Sequence, residues 1–284
     1  MPLRLHLCAR GSMTSSLSYS EYLPPNDLAP WVACFWQIAG GIPDGTSVLH
    51  RVLPDGCADL LFDLEGCRRA GGTPADIVGP MSSAHVFALH GTIDLLGARL
   101  RPGAIRAFGG VQADRLLDTT APISELLPSL RLDVAELADT TNSAVRIRVL
   151  INAFRRRSGA LNRPDPLVCQ ALTRWARAER PEFSTISVLT RDLGLSERAF
   201  ERRFVAQVGL TPVRYRRLAR FRSVLRLHAA GLRDWAALAA VTGFSDQSHL
   251  VRDHREFAGL TPTEWAATQA GPAGFLQDGD ITTL

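Results

Sequence analysis

The sequence predicts an α+β chain: a β-rich N-terminal domain followed by an all-α domain of two helix-turn-helix units joined by a long helix. Three observations carry this. Residues 19–101 break into short apolar runs punctuated by Gly, Pro and Asp, the apolar spacing turns helical from about Gly103, and between Val188 and Trp265 one helical pattern is written twice.

The opening MPLRLHLCARGSM contains Arg4 and Arg10 but no apolar run long enough for a signal peptide. Residues 1–18 are therefore expected to form a disordered extension, with Met13 as a candidate start. Strands are expected at 31–38, 47–53, 58–64, 85–90 and 92–101, each a run of apolar residues bounded by turn formers. Leu53-Pro54-Asp55-Gly56 suits a tight turn, because proline presets one backbone angle and glycine accepts the sharp bend at its end. In the stretch 144–156, Val145, Val149, Leu150 and Phe154 recur at helical spacing. Such a helix packs on its own domain or pairs with a second copy. Ser158 to Pro166 reads SGALNRPDP, small residues with two prolines. The β-rich domain is accordingly placed at 19–157, a linker at 158–164, the helical domain at 165–268, and a disordered tail at 269–284.

The helical domain opens with Leu167, Ala171 and Trp175 in i, i+4, i+8 register, which predicts a helix over 167–177. The repeat comes next, VLTRDLGLSERAFERRFVAQVGLTPVRY and then ALAAVTGFSDQSHLVRDHREFAGLTPTEW. Each copy has an apolar helix ending at a glycine (Gly194, Gly243), a hydroxyl residue to N-cap the next helix (Ser196, Ser245), a helix with a charged face, and a Gly-Leu-Thr-Pro exit (Gly209 to Pro212, Gly259 to Pro262). The exit glycines lie 259 − 209 = 50 residues apart and the turn glycines 243 − 194 = 49, so the second turn carries one extra residue.

At about 100° per residue, Phe200 and Phe204 share one side of the first charged helix and Arg198 and Arg202 the other. In the second copy Leu250 and His254 take the inward places, Ser248 and Arg252 the outward ones. Two such helices, each with one face for packing and one for a partner, suit recognition helices in major grooves better than two unrelated solvated faces. Between them Thr211 caps, and Pro212 begins, a helix reaching about Ala230 along the stripe Tyr215, Leu218, Phe221 and Leu225.

Charge placement agrees. Every one of the 32 basic residues is arginine. Residues 1–160 balance 15 Arg against 15 acids, while residues 161–284 hold 17 against 13, so the net +4 lies wholly in the second part. Between Arg198 and Arg226 stand nine arginines and a single acid, Glu201. That density is the footprint expected of a polyanion partner.

With these residues in view, 165–268 resembles the DNA-binding domain of the AraC/XylS family of transcription regulators, most specifically in Gly243-Phe244-Ser245-Asp246-Gln247-Ser248-His249-Leu250 and the two exits. The chain departs from that family at Thr190, where alanine is usual, and at His254, where phenylalanine is usual. The resemblance implies Arg198, Glu201, Arg202, Gln247, Ser248 and Arg252 as DNA-contacting residues, with Arg202 and Arg252 at equivalent outward positions. RVLPDGCADLLF (Arg51 to Phe62) with Leu100-Arg101-Pro102-Gly103 resembles, over a shorter stretch, the N-terminal region of a subset of that family. It implies a compact, cupin-like sensing or dimerisation domain. The partners so implied are double-stranded operator DNA, with RNA polymerase, a small-molecule effector and a second copy of the chain as further candidates.

The competing expectation is an enzyme or metal-binding domain attached to a DNA-binding module. His50, Asp55, Cys57, Asp59, His85 and His90 are metal-capable, but their spacing fits no ligand pattern, and no phosphate loop or nucleophile elbow is written anywhere. No catalytic residue, metal or cofactor is therefore expected. Five cysteines without C-x-x-C spacing read as free thiols, and no apolar run reaches the roughly 18 residues of a membrane span, so a cytoplasmic location is expected.

Overall fold

The computed structural model describes residues 17–66, 75–126, 134–158, 163–176, 185–192 and 194–269. The extension, with Met13, lies outside them up to residue 16, and the tail beyond 269 does too. The sheet starts at Ser18, one residue before the expected start of the domain.

Eight strands form among the described residues: β1 Ser18–Tyr22, β2 Val32–Gly41, β3 Val48–Val52, β4 Ala58–Asp63, β5 Ala75–Val78, β6 His85–Leu89, β7 Thr92–Leu100 and β8 Thr120–Pro122. All five expected strands are present. β1, β5 and β8 were not expected: SYSEY is mostly polar, four and three residues are too few to show a period, and all three become strands by pairing. Six strands join in the antiparallel order β1-β2-β7-β4-β5-β8, and β3 with β6 forms a separate ribbon.

The large sheet is covered on one face by α1 (Ile105–Gly109), a short α2 (Ile123–Leu126), α3 (Val134–Asp139) and α4 (Ser143–Ser158). Phe35, Leu60, Phe62, Leu96 and Leu100 of the strands meet Phe108 of α1 and Ile147, Leu150 and Phe154 of α4. Phe154 sets its ring edge-on to Phe35 at 5.7 Å and to Phe108 at 5.3 Å. The helix expected at 144–156 thus packs on its own domain.

The opposite face carries a smaller cluster, Tyr19, Cys34, Trp36 and Ile38. Trp36 sits across from Gly97 in the β2–β7 ladder, and a Cβ at Gly97 would stand 2.1 Å from its ring. Glycine is needed there because the indole occupies the space a side chain would take. Trp36 Nε1 donates to Asp59 Oδ1 at 2.7 Å, and Arg99 lies buried within 3.5 Å of Asp55 and 3.3 Å of Asp59. Burial raises the Asp59 carboxyl above its usual range, and the Arg99 guanidinium opposes that shift.

The helical part contains α5 (Pro166–Ala176), α6 (Ile186–Asp192), α7 (Glu197–Val208), α8 (Pro212–Ala229), α9 (Trp235–Thr242), α10 (Gln247–Ala258) and α11 (Pro262–Gln269). α8 belongs to two cores: Leu218, Phe221 and Leu225 join Trp175, Phe200 and Phe204 in one, while Val224 joins Leu238, Phe244 and Leu250 in the other. The exits work as their composition suggests, Thr211 accepting from Arg214 N and Thr261 from Glu264 N, both at 3.2 Å, ahead of a proline in the first turn. Thr190, the unusual hydroxyl of α6, is buried and donates to Ser187 O at 3.3 Å.

The two parts meet along a polar seam. Arg51 Nη1 donates to Ala258 O at 2.8 Å, Ala84 N to Phe257 O at 2.8 Å, Arg214 Nη2 to Ser82 O at 3.0 Å and Arg222 Nη1 to Asp55 O at 3.3 Å. A Cβ on Gly56 would fall 2.6 Å from the Tyr215 ring, so the Leu53-Pro54-Asp55-Gly56 turn closes directly on α8. Leu53 and Leu117 pack into the core around Trp175.

Gly97→Ala forces the β2–β7 ladder or the Trp36 ring to move, and overpacking of this kind costs about 3 kcal/mol. Urea unfolding of the full chain is expected to show that loss; an unchanged midpoint would mean the ring does not rest on Gly97.

Candidate nucleic-acid interface

Each copy of the repeat builds a capped helix with a buried face and a bare one. In α7, Ser196 stands at the N-cap, its hydroxyl accepting from Ala199 N at 3.2 Å. In α10 the cap is Asp246 and not the expected Ser245: the Asp246 carboxylate accepts from His249 N at 2.7 Å. The extra residue in the second turn moves the helix start one position along, and a carboxylate caps more strongly than a hydroxyl beside a helix N-terminus. Ser245 instead donates to Asp246 Oδ2 at 3.2 Å and lies 3.1 Å from His249 Nδ1.

The faces divide as the helical register requires. Phe200, Phe204, Leu250 and His254 are buried to within 1%. Arg198, Glu201 and Arg202 on α7, with Gln247, Ser248 and Arg252 on α10, are all exposed. Arg198, Arg202 and Arg252 make no hydrogen bond or ion pair among the described residues, so their guanidinium groups are available to a partner.

Five others of the cluster, Arg203, Arg214, Arg217, Arg220 and Arg222, are engaged within the molecule, which narrows its reading as a single polyanion footprint. Arg217 on α8 donates to Asp253 Oδ1 at 2.7 Å and closely to Glu256, both on α10, and these carboxylates hold its pKa above the usual range. Arg220 donates to Gly243 O at 3.1 Å and lies over the Phe244 ring at 4.9 Å. Arg214 and Arg222 serve the seam, and Arg203 pairs with Asp165 at 3.5 Å. Asp253, 2% exposed, is therefore the buried anchor that ties α10 to α8. Its signal in the sequence was weak, because one acid on an arginine-rich helix pair reads equally well as a surface charge.

His254, the histidine that stands where phenylalanine is usual, makes a specific polar contact. Its Nδ1 lies 2.7 Å from Leu260 O, and since a carbonyl only accepts, Nδ1 carries the proton. The ring sits edge-on to Phe221 at 5.2 Å and to Trp265 at 5.8 Å, and it ties the end of α10 to its own exit. Burial pushes its pKa down to about 4.

The metal-capable residues do not converge. Asp55 and Asp59 face Arg99, Cys57 is buried with its thiol pushed up by that burial, and His50 is buried with its pKa pushed down to about 4. His85 and His90 lie on the β3–β6 side of the domain, and His90 Nδ1 lies 3.3 Å from Thr46 O. Among the described residues no three His, Cys, Asp or Glu side chains gather where they could hold a metal ion, and no helix is long and apolar enough to cross a membrane.

A family model described as a helix-turn-helix domain matches residues 189–268, and another, a domain of unknown function (DUF6597), matches residues 20–122. Among solved structures, a probable AraC family transcriptional regulator from Rhodopseudomonas palustris is 28% identical, covering 35% of this chain and 94% of its own, with a TM-score of 0.32. Two structures of ToxT from Vibrio cholerae are each 11% identical. They cover 80% and 91% of this chain and 98% and 100% of their own, with TM-scores of 0.38 and 0.39. No curated protein matches the chain.

The unfolded chain takes up a proton at His254 near the ordinary value of 6.5, the folded chain only near 4. The stability this contributes is complete above pH 6.5 and is lost as pH falls toward 4. His254→Phe is expected to cost about 1 kcal/mol at pH 7.5, by stranding Leu260 O, and to be about 1 kcal/mol more stable than wild type at pH 5. Thermal unfolding of the full chain at both pH values measures the crossover; parallel curves would exclude a buried neutral imidazole.

Proposed function

We propose that the protein is a sequence-specific DNA-binding regulator of transcription of the AraC type, whose α7 and α10 enter consecutive major grooves; the helix-turn-helix model that matches residues 189–268 supports this reading. One observation carries this reading. The same division of faces occurs twice, with Phe200 and Phe204 or Leu250 and His254 buried and Arg198 and Arg202 or Ser248 and Arg252 bare. Chance could supply one such helix, but a shared core helix carrying two of them is the arrangement a duplex repeats along its axis.

Arg202 and Arg252 are the reading residues in this proposal, because a bare guanidinium on an outward helical face suits the paired acceptors of guanine in the major groove. Arg198, Glu201, Gln247 and Ser248 flank them. α8 fixes the spacing: its 18 residues at about 1.5 Å each span roughly 27 Å, approaching one turn of duplex. The domains we propose are 19–157 for sensing or dimerisation and 165–268 for DNA, joined by the linker 158–164. The seam from Asp55 and Gly56 to α8 gives the first domain a mechanical hold on the second. A small-molecule effector or a second copy would act through that hold, and control of transcription brings RNA polymerase to the same operator.

Operators selected from random duplexes with the full chain provide the test. Arg252→Ala is expected to weaken binding by about 1–3 kcal/mol and relax preference at one base pair, and Arg202→Ala to do the same at another. Full affinity in both variants would remove these helices from the grooves. Inserting about 5 bp between the two half-contacts turns one to the far side of the duplex and is expected to abolish high-affinity binding; undiminished affinity would rule out simultaneous engagement by one chain.

A further inference from the structure

Beyond the apolar core, at the end of the sheet where α4 begins, a cleft of about 370 Å³ opens between β1, β2, β7 and α4. That volume falls in the range of roughly 300–1,000 Å³ typical of small-molecule sites. Its floor is polar and buried: Gln37 of β2, Asp94 of β7 and Arg146 of α4 are 6%, 7% and 1% exposed. Its rim carries the hydroxyls of Ser18, Ser20, Thr92, Thr141 and Ser143, and Ala39 and Ile93 give it an apolar wall.

The floor is a built arrangement with capacity left over. Arg146 donates from Nη1 and Nη2 to the two Asp94 oxygens at 2.8 and 2.9 Å, and from Nε to Leu137 O at 3.0 Å. Three of its five N–H groups are thereby engaged and two remain. Gln37 Nε2 donates to Asp94 Oδ1 at 3.3 Å, but Gln37 Oε1, equally buried, has no hydrogen-bond partner among the described residues. A buried amide oxygen left so costs free energy unless something donates to it. The bidentate Arg146–Asp94 pair already balances the charge, so an anionic or cationic ligand would have to break it.

We propose that this cleft binds a small neutral polyhydroxylated molecule. Hydroxyls both donate and accept: one satisfies Gln37 Oε1, a neighbour accepts from Arg146, the rim hydroxyls take the others, and the C–H face lies on Ala39 and Ile93. α4, which carries Arg146, runs to Ser158 and leads toward the helical domain, so occupation of the cleft bears on the segment joining the two parts. Its meaning as an effector signal rests on the regulator reading above, whereas the binding itself does not.

Isothermal titration of the full chain with erythritol, xylitol and sorbitol, and with gluconate as a charged counterpart, tests the assignment. Polyols stabilise proteins in general through exclusion from their surface, so saturable heat is the criterion and a shift in unfolding temperature is not. At least one alditol is expected to saturate below about 50 mM, and gluconate to bind more weakly. Gln37→Met, close to glutamine in length but without its amide, is expected to weaken binding about tenfold, and Ser143→Ala on the rim several-fold; the second keeps the test decisive if the first does not fold. Absence of saturable binding by every alditol, equal binding of gluconate, or wild-type affinity in the folded variants would overturn the proposal. Operator binding by the same preparations, measured without alditol, fails separately if the regulator reading is wrong.

Discussion

α8 is the element that cannot move without disturbing everything else. Leu218, Phe221 and Leu225 hold the first helix-turn-helix core and Val224 the second. On its flank Arg217 reaches Asp253 and Glu256, so the seating of α10 is set by a charge pair as well as by apolar contact. Truncating a buried carboxylate such as Asp253 leaves the facing arginines uncompensated, which is far more damaging than losing a surface ion pair. The spacing of the two bare faces therefore depends on one helix whose core contacts and charges are both committed.

The same helix receives the N-terminal part. Tyr215 fills the place that a side chain at residue 56 would occupy, and Arg222 donates to Asp55 O. Asp55 has further duties: its carboxylate accepts from Cys57 N at 2.8 Å and faces Arg99 behind the sheet. Arg99 in turn faces Asp59, which holds Trp36 over Gly97. A continuous polar path thus runs from the second face of the sheet, through the Leu53-Pro54-Asp55-Gly56 turn, to α8, the helix shared by the two helical cores. The geometry of this turn makes it the joint between sheet and helix.

Polar groups are buried here where position matters and left bare where a partner is to be met. His254, Asp253 and Arg146 are each held by a specific neighbour, at Leu260 O, Arg217 and Asp94. Such bonds are directional, so each fixes an orientation that apolar packing alone would leave loose. Arg198, Arg202 and Arg252 have no such neighbour among the described residues, and the proposed DNA contact draws on that freedom.

What the sequence by itself determined is local. Two copies of a turn, the cap at Ser196, the Thr-Pro exits and the inward places of Phe200, Phe204, Leu250 and His254 all rest on contacts three or four residues apart, which the order of residues states directly. Strands β2, β3, β4, β6 and β7 were legible for the same reason, since an apolar run and its bounding turn residues are adjacent in the sequence. Tertiary structure alone decided the rest. Strands β1, β5 and β8 exist through pairing, five of the nine arginines from Arg198 to Arg226 turn to internal bonds, Leu260 O gives His254 its partner, and Gln37, Asp94 and Arg146 meet from three separate elements. Such facts depend on which distant groups come within about 3 Å of each other, and no residue's neighbours along the chain encode that distance.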